Sequence, residues 1–238
     1  MSETTVRYNG KTHVGRVRKV NEDSILLMPD QQIWVVSDGM GGHEGGDFAS
    51  RVVVDAIAVL PPDMPATEKL GQIRQALQNA HQTILHEAEA RHATMGATVV
   101  ALVLADGHFG ALWAGDSRLY RLRGGKIDLL TTDHSLVAVL VEAGQLTWDE
   151  AEKHPQSNAI TRAVGVGEVL ELDKVRGDVL PGDRFLICSD GLNKYAGIAE
   201  LGAALQGAPI EVVTDQLVQM ALDRGGADNV SVIVVDVQ

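Results

Sequence analysis

The sequence predicts an α+β fold in which stacked antiparallel β-sheets are covered by helices. Three observations carry that expectation. Short apolar runs outnumber helical patterns along the chain. Consecutive runs are joined by tight turns such as Arg123-Gly124-Gly125-Lys126, which suits antiparallel pairing. The helical patterns fall between groups of strands and not after every strand, which argues against a regular βαβ sheet. A length of 238 residues suits one domain, 1–238, with enough chain to bury a sizeable core.

Strands are expected at roughly 5–15, 25–29, 33–37, 97–105, 109–115, 118–123, 184–189 and 230–237, with weaker ones near 127–130 and 170–180. These runs are rich in Val, Ile and aromatics, the composition of buried strands. A helix from Gly46 to Leu60 is stopped by Pro61-Pro62. A longer one from Thr67 to His92 buries Leu70, Ile73, Leu77, Ala80 and Ile84, spaced by three and four. A third, Pro209 to Asp223, turns Val213, Leu217 and Met220 inward and stops at Gly225-Gly226.

Residues 133–168 lack long apolar runs and read as a small helical flap inserted between strands. It contains two short helices, Ser135 to Ala143 and Thr147 to Lys153, separated at Gly144. The second opens on the capping-box pattern Thr147-Trp148-Asp149-Glu150. Asp133 and His134 read as caps of the first.

Twenty Lys and Arg against 32 Asp and Glu give a net charge of −12. That argues against nucleic acid or an anionic membrane as partner. No apolar run reaches the length of a membrane span, and the first residues lack the apolar core of a signal peptide. The single cysteine, Cys188, has no internal partner and lies in an apolar run, so a structural thiol in a reducing cytoplasm is expected.

The chemistry lies in four aspartates. Asp38, Asp116 and Asp190 each follow an apolar run, and Asp228 just precedes one. If the strand ends converge, several negative charges share one cleft. Two unit charges about 4 Å apart repel by roughly 4 kcal/mol at an effective dielectric near 20. Such a cluster requires raised pKa values or bound cations. All-oxygen sites suit hard divalent ions such as Mg²⁺ and Mn²⁺. Arg18, a few residues before Glu22 and Asp23, offers a planar fork of donors that fits a phosphate.

Five blocks carry these residues: Arg18-Lys19-Val20-Asn21-Glu22-Asp23-Ser24, Asp38-Gly39-Met40-Gly41-Gly42-His43, Gly115-Asp116-Ser117-Arg118, Ser189-Asp190-Gly191-Leu192 and Gly226-Ala227-Asp228-Asn229. Thr132 to Leu136 and Asn158 to Gly165 add to them. In this order and spacing the chain resembles the bacterial branch of the type 2C metal-dependent protein serine/threonine phosphatases. The resemblance implies a four-layer sandwich of two stacked antiparallel sheets flanked by helices, with a binuclear Mn²⁺ or Mg²⁺ centre at one end. It sets Asp38 as the bridge between two metals, with the Gly39 carbonyl on one and Asp190 and Asp228 on the other. Asp23 matches an acid that binds directly or through water, and Glu22 a position that is acidic in some members. Asp116 matches a ligand of a third, weaker metal, with Asp190 shared. Arg18 matches the arginine that holds the substrate phosphate. The implied reaction is in-line attack on phosphorus by water activated between the two cations. No protein nucleophile is needed. Where some members carry a histidine after Asp-Gly, this chain has Met40. The candidate general acid is then His43, a metal-bound water, or none. Phosphoprotein substrates and a serine/threonine kinase acting on the same targets are implied as partners.

Taken singly, each block has a plainer reading: Arg18 as a surface charge paired with Glu22 or Asp23, Asp116 as a hairpin cap. The set of carboxylates reverses that. His81, His86 and His92, with Glu87 and Glu89, sit at spacings unlike an i, i+4 zinc pair and read as a solvated face. His13, His108 and His154 belong to no constellation. Gly10-Lys11-Thr12 ends like a P-loop, but Thr5 stands where the first glycine should be. Two alternatives remain: a catalytically weak phosphoprotein-binding module, and a phosphatase of small phosphomonoesters.

Overall fold

A computed structural model describes residues 5–41, 45–147, 150 and 154–238. Two antiparallel sheets stack face to face with helices outside both. One sheet orders β1 (Val6–His13), β11 (Val230–Val237), β10 (Arg184–Cys188), β7 (Arg118–Arg123) and β8 (Lys126–Leu129). The other orders β2 (Asp23–Met28), β3 (Ile33–Met40), β5 (Val99–Ala105), β6 (His108–Ala114) and β9 (Asp173–Asp178), and the two-residue β4 (Gly96–Ala97) pairs with the end of β3. Every expected strand forms.

Alternation along each strand builds the layers, since successive side chains point to opposite faces. Ile33 and Val35 of β3 pack under α1 (Gly45–Ala58) and α2 (Ala66–Ala90). Trp34 and Val36 face the other sheet, where they meet Phe185, Ile187, Ile233 and Val235. Leu186, Cys188, Val232 and Val234 face outward, under α5 (Ile198–Gly207) and α6 (Ile210–Asp223). Both faces of these strands are dry, so they read as unbroken apolar runs in the sequence. Phe109 and Phe185 meet between the sheets with centroids 5.3 Å apart. Each such side chain contributes about 1.5–3 kcal/mol by leaving water. Cys188 is wholly buried, and burial pushes its thiol up to about 12. It is a structural thiol.

Four local expectations change. Helix α5 adds to the three helices and the flap that the sequence pattern marks. Gly202 and Gly207 dilute its pattern, but Gly202 packs close against Ile127, where a larger side chain would crowd. Val213 and Leu217 of α6 are buried as expected, Met220 packs against that core only half-buried, and Val218 and Ala221 turn inward as well. His81 is not on a solvated face. It lies one turn past Leu77 on the inner stripe of α2, fully buried, and its Nδ1 accepts from the Gly165 N–H at 2.9 Å. Burial holds its pKa down, so the ring is neutral. His86, Glu89 and His92 are exposed as expected.

The fourth concerns the flap. Ser135 itself caps α3 (Leu136–Glu142), accepting from the Ala138 N–H at 3.2 Å. Asp133 is taken by Arg118 in a two-pronged pair at 2.9 and 2.7 Å. His134 accepts from the Gly115 N–H at 3.2 Å and stacks on Trp113. Both residues therefore anchor the flap to the β6–β7 turn and do not cap it. Thr147 and Glu150 form the capping box, with Glu150 accepting from the Thr147 N–H at 2.8 Å and Thr147 Oγ1 from the Glu150 N–H at 3.3 Å. The helix expected there falls largely outside the described residues.

Candidate metal centre

Sheet topology brings the aspartates together. β3 and β6 both pair antiparallel with β5, so they run in the same direction and their C-terminal ends lie on one side. β10 and β11 are antiparallel neighbours, so the end of one adjoins the start of the other. Asp38, Asp116, Asp190 and Asp228 therefore collect at one end of the sandwich. Asp38 lies within β3, because β4 extends the strand to Met40. Asp23 opens β2 directly opposite Asp38 in the ladder. The result is a cleft of about 230 Å³ that reaches from Arg18 to Asn158 and Ile160 at the base of the flap.

Burial and crowding raise the pKa values of Asp38, Asp23 and Asp116. Burial and then the charges of Asp23, Asp190, Asp116 and Asp228 push Asp38 well above the usual range. Burial lifts Asp23 to about 7, with Asp190 and Asp228 adding to it, despite hydrogen bonds from Ser231 and Ser189. Burial and Asp190 lift Asp116 to about 7. A bound divalent cation reverses this balance, because its field favours the ionised carboxylates. The donor set fits a hard cation. All the donors are oxygens, and Asp23 Oδ1 and Asp190 Oδ1 are buried with no hydrogen-bond donor among the described residues. No three His, Cys, Asp or Glu side chains among those residues are already gathered round one point. Two side-chain cations hold them instead. Arg18 grips Asp228 with Nε on Oδ1 and Nη2 on Oδ2, both at 3.0 Å. The Lys194 ammonium contacts Asp190 Oδ2.

The chain matches the family profile for protein phosphatase 2C over residues 9–227. It belongs to the protein phosphatase 2C family. Among relatives, it is 36% identical to the serine/threonine protein phosphatase PstP of Mycobacterium tuberculosis over 234 residues, covering 98% of this chain. The chain spans about half the length of that relative, 45%. Among solved structures, it is similar to PppA, a key regulatory component of T6SS in Pseudomonas aeruginosa, at a TM-score of 0.92 and 42% identity over 99% of each chain. It is also similar to the catalytic domain of the serine/threonine protein phosphatase PstP in complex with two manganese ions, at a TM-score of 0.89 and 34% identity over 98% of each chain.

Within this family frame the small residues beside the aspartates have a steric reason. A Cβ on Gly39 would stand 2.0 Å from the Gly46 carbonyl oxygen, and one on Gly191 1.9 Å from that of Asn229. Side chains there would force the loops apart. Supporting residues not singled out in the sequence hold the rest. Thr98 Oγ1 accepts from the Asp38 N–H at 3.0 Å, and Ser189 Oγ donates to Asp23 Oδ2 at 2.8 Å. Asn229 accepts from the Glu22 N–H at 2.7 Å and donates to the Val14 and Val20 carbonyls, which moors the Arg18 loop. Arg18 pairs with Asp228 and not with Glu22 or Asp23, the partners its spacing suggests. Lys194 is the larger addition to the site. Its signal is present in the sequence: it lies four residues after Asp190, one helical turn. His43 lies outside the described residues. Met40, directly after Asp38-Gly39, lines the cleft.

Proposed function

We propose that this chain is a metal-dependent protein serine/threonine phosphatase that hydrolyses phosphoserine and phosphothreonine in phosphoproteins. The observation that carries this reading is the convergence of five aspartates, three with raised carboxyl pKa values and two with a buried unsatisfied oxygen, at a cleft with Arg18 on its lining. In it, Asp38, the Gly39 carbonyl, Asp190 and Asp228 would hold two Mn²⁺ or Mg²⁺ ions, and Asp23 would support them. When bound, the ions activate the attacking water and offset charge on the phosphoryl oxygens.

The protein's own groups do the positioning. Arg18 is half-exposed, so its guanidinium can turn from Asp228 to a phosphate arriving from solvent. The Asp38 backbone is fixed by Thr98 on one side and by the β2 ladder on the other. The backbone that carries Asp38 is therefore held in place before a cation arrives. Residues 1–238 act in this reading as one phosphatase domain, and the flap at 133–168 flanks the cleft where a substrate protein would lie. The substrates are phosphorylated by a serine/threonine kinase acting on the same targets. A lone buried cysteine agrees with a cytoplasmic setting. Among the described residues no helix is long and apolar enough to cross a membrane.

The test is hydrolysis of a phosphothreonine peptide with EDTA, then with added Mn²⁺ and then Mg²⁺. Phosphate release that requires metal supports the assignment. A folded chain that traps the peptide without turnover at saturating Mn²⁺ overturns it in favour of a binding module.

A further inference from the structure

The resemblance sets a third, weaker divalent ion between Asp116 and Asp190. In this chain that side of Asp190 already holds a cation. Asp190–Asn193 forms a single helical turn, α4. The Lys194 N–H closes the turn on the Asp190 carbonyl at 3.0 Å, and the side chain folds back so that Nζ contacts Asp190 Oδ2. The neighbouring Asn193 Nδ2 donates to the Asp116 carbonyl at 3.4 Å, tying the turn to the Asp116 loop. Lys194 and Asp116 together line both the cleft and an adjoining cavity of about 480 Å³ beneath the flap. The arginine nearest Asp116 in sequence, Arg118, is committed to Asp133.

We propose that the Lys194 ammonium takes the place of the third divalent ion between Asp116 and Asp190, so that this chain holds two metal ions and carries its remaining cation covalently. The inference rests on the metal-site reading above and extends it. Charge balance supports it. Among the described residues six carboxylates, Glu22, Asp23, Asp38, Asp116, Asp190 and Asp228, stand at or against the cleft. Two divalent ions with Arg18 and Lys194 supply six positive charges. A third ion would have to displace the ammonium or sit in its field, and like charges at that range repel strongly. A tethered ammonium serves at any metal concentration, whereas a weak third ion serves only when metal is plentiful.

Mn²⁺ binding to the full chain by equilibrium dialysis and calorimetry tests this directly. The wild type and Lys194→Arg should bind two ions. Lys194→Met and Lys194→Gln should bind a third with a Kd at least about tenfold lower than any third binding in the wild type, as expected from removing one adjacent charge. Adding Asp116→Asn to Lys194→Met should abolish that third ion. Two ions in the wild type and still only two in the folded Met and Gln variants overturn this inference alone. A third ion bound as tightly by the wild type as by Lys194→Met does the same. A wild type that binds no Mn²⁺ overturns the binuclear site and this inference with it. Cooperative melting of each variant in EDTA establishes that the chain compared is folded. The pair Met and Gln keeps the test decisive if the apolar variant alone unfolds.

Discussion

Strand β10 carries an aspartate at each end, and the two are treated in opposite ways. Asp183, just before it, is completely buried and fully served: Arg123 donates to it through Nε at 2.6 Å and Nη2 at 2.5 Å, and the Leu180 N–H at 2.9 Å. Burial alone would raise its pKa, but those donors hold it below the usual range. Beside it Arg184 grips Asp236 at 2.5 and 2.7 Å. Asp190, just after the strand, keeps one buried oxygen without a donor among the described residues and faces other carboxylates. One end of the sandwich is electrostatically closed, and the other is left short of positive charge. The difference teaches that a buried acid marks a ligand site only when the structure withholds its partners. Burial itself is common to both ends.

The comparison can be broken most sharply at Asp38. If Asp38 holds the metal ions as proposed, Asp38→Asn should lower phosphopeptide turnover by at least about 10³-fold. Its melting temperature in EDTA should not fall, because the substitution removes repulsion. Near-normal turnover would remove Asp38 from the centre. At the closed end, Arg123→Ala leaves Asp183 buried and unpaired and should cost about 3 kcal/mol by denaturant titration. Turnover at saturating Mn²⁺ should stay within about twofold where the variant is folded.

A smaller effect is expected at the mouth of the cleft. Arg18→Ala should raise KM for a phosphopeptide roughly tenfold, with kcat less affected. Its ion pair is half-exposed, so stability should change by less than about 1 kcal/mol. A large loss of stability with unchanged KM would make Arg18 structural. The least effect, a matter of a few degrees in melting temperature, separates the ends by pH. Asp23 and Asp116 have folded pKa values of about 7 against an ordinary 3.8. Between those values the unfolded chain gives up protons that the folded chain keeps, so metal-free stability from these groups falls as pH rises from about 4 to 7. Asp183 acts with the opposite sign: its contribution is present above 3.8 and is lost as pH falls through its lowered folded value. Melting curves in EDTA for Asp116→Asn and Asp183→Asn should therefore move in opposite directions with pH. Parallel shifts would erase the distinction between the ends.

Much of the site is legible in the sequence because the same groups serve folding and chemistry. Asp38, Asp116 and Asp190 follow apolar runs long enough to recognise, although β3 continues past Asp38, and the glycines after Asp38 and Asp190 mark backbones that approach too closely for a Cβ. Lys194 is hidden there because a lysine four residues from an acid reads as an ordinary helix pair. Only the surroundings of Asp190 show that this pair stands inside the cleft. His81 misleads for a related reason. Histidine tolerates both water and a packed core, and its neutral, buried state depends on the Gly165 N–H, contributed from 84 residues away.

The sequence by itself determined the layers. Period-two alternation with apolar residues on both faces requires strands covered on both sides, and three-and-four spacing sets the helices that cover them. It also determined which carboxylates stand at strand ends. Tertiary structure decided which of those carboxylates are satisfied. Arg123 reaches Asp183 from 60 residues away, Arg18 reaches Asp228 from 210, and Ser189 reaches Asp23 from 166. Local pattern is set by each residue's own neighbours along the chain. The field at a carboxylate is a sum over everything within a few ångströms, and only the folded chain brings those groups together.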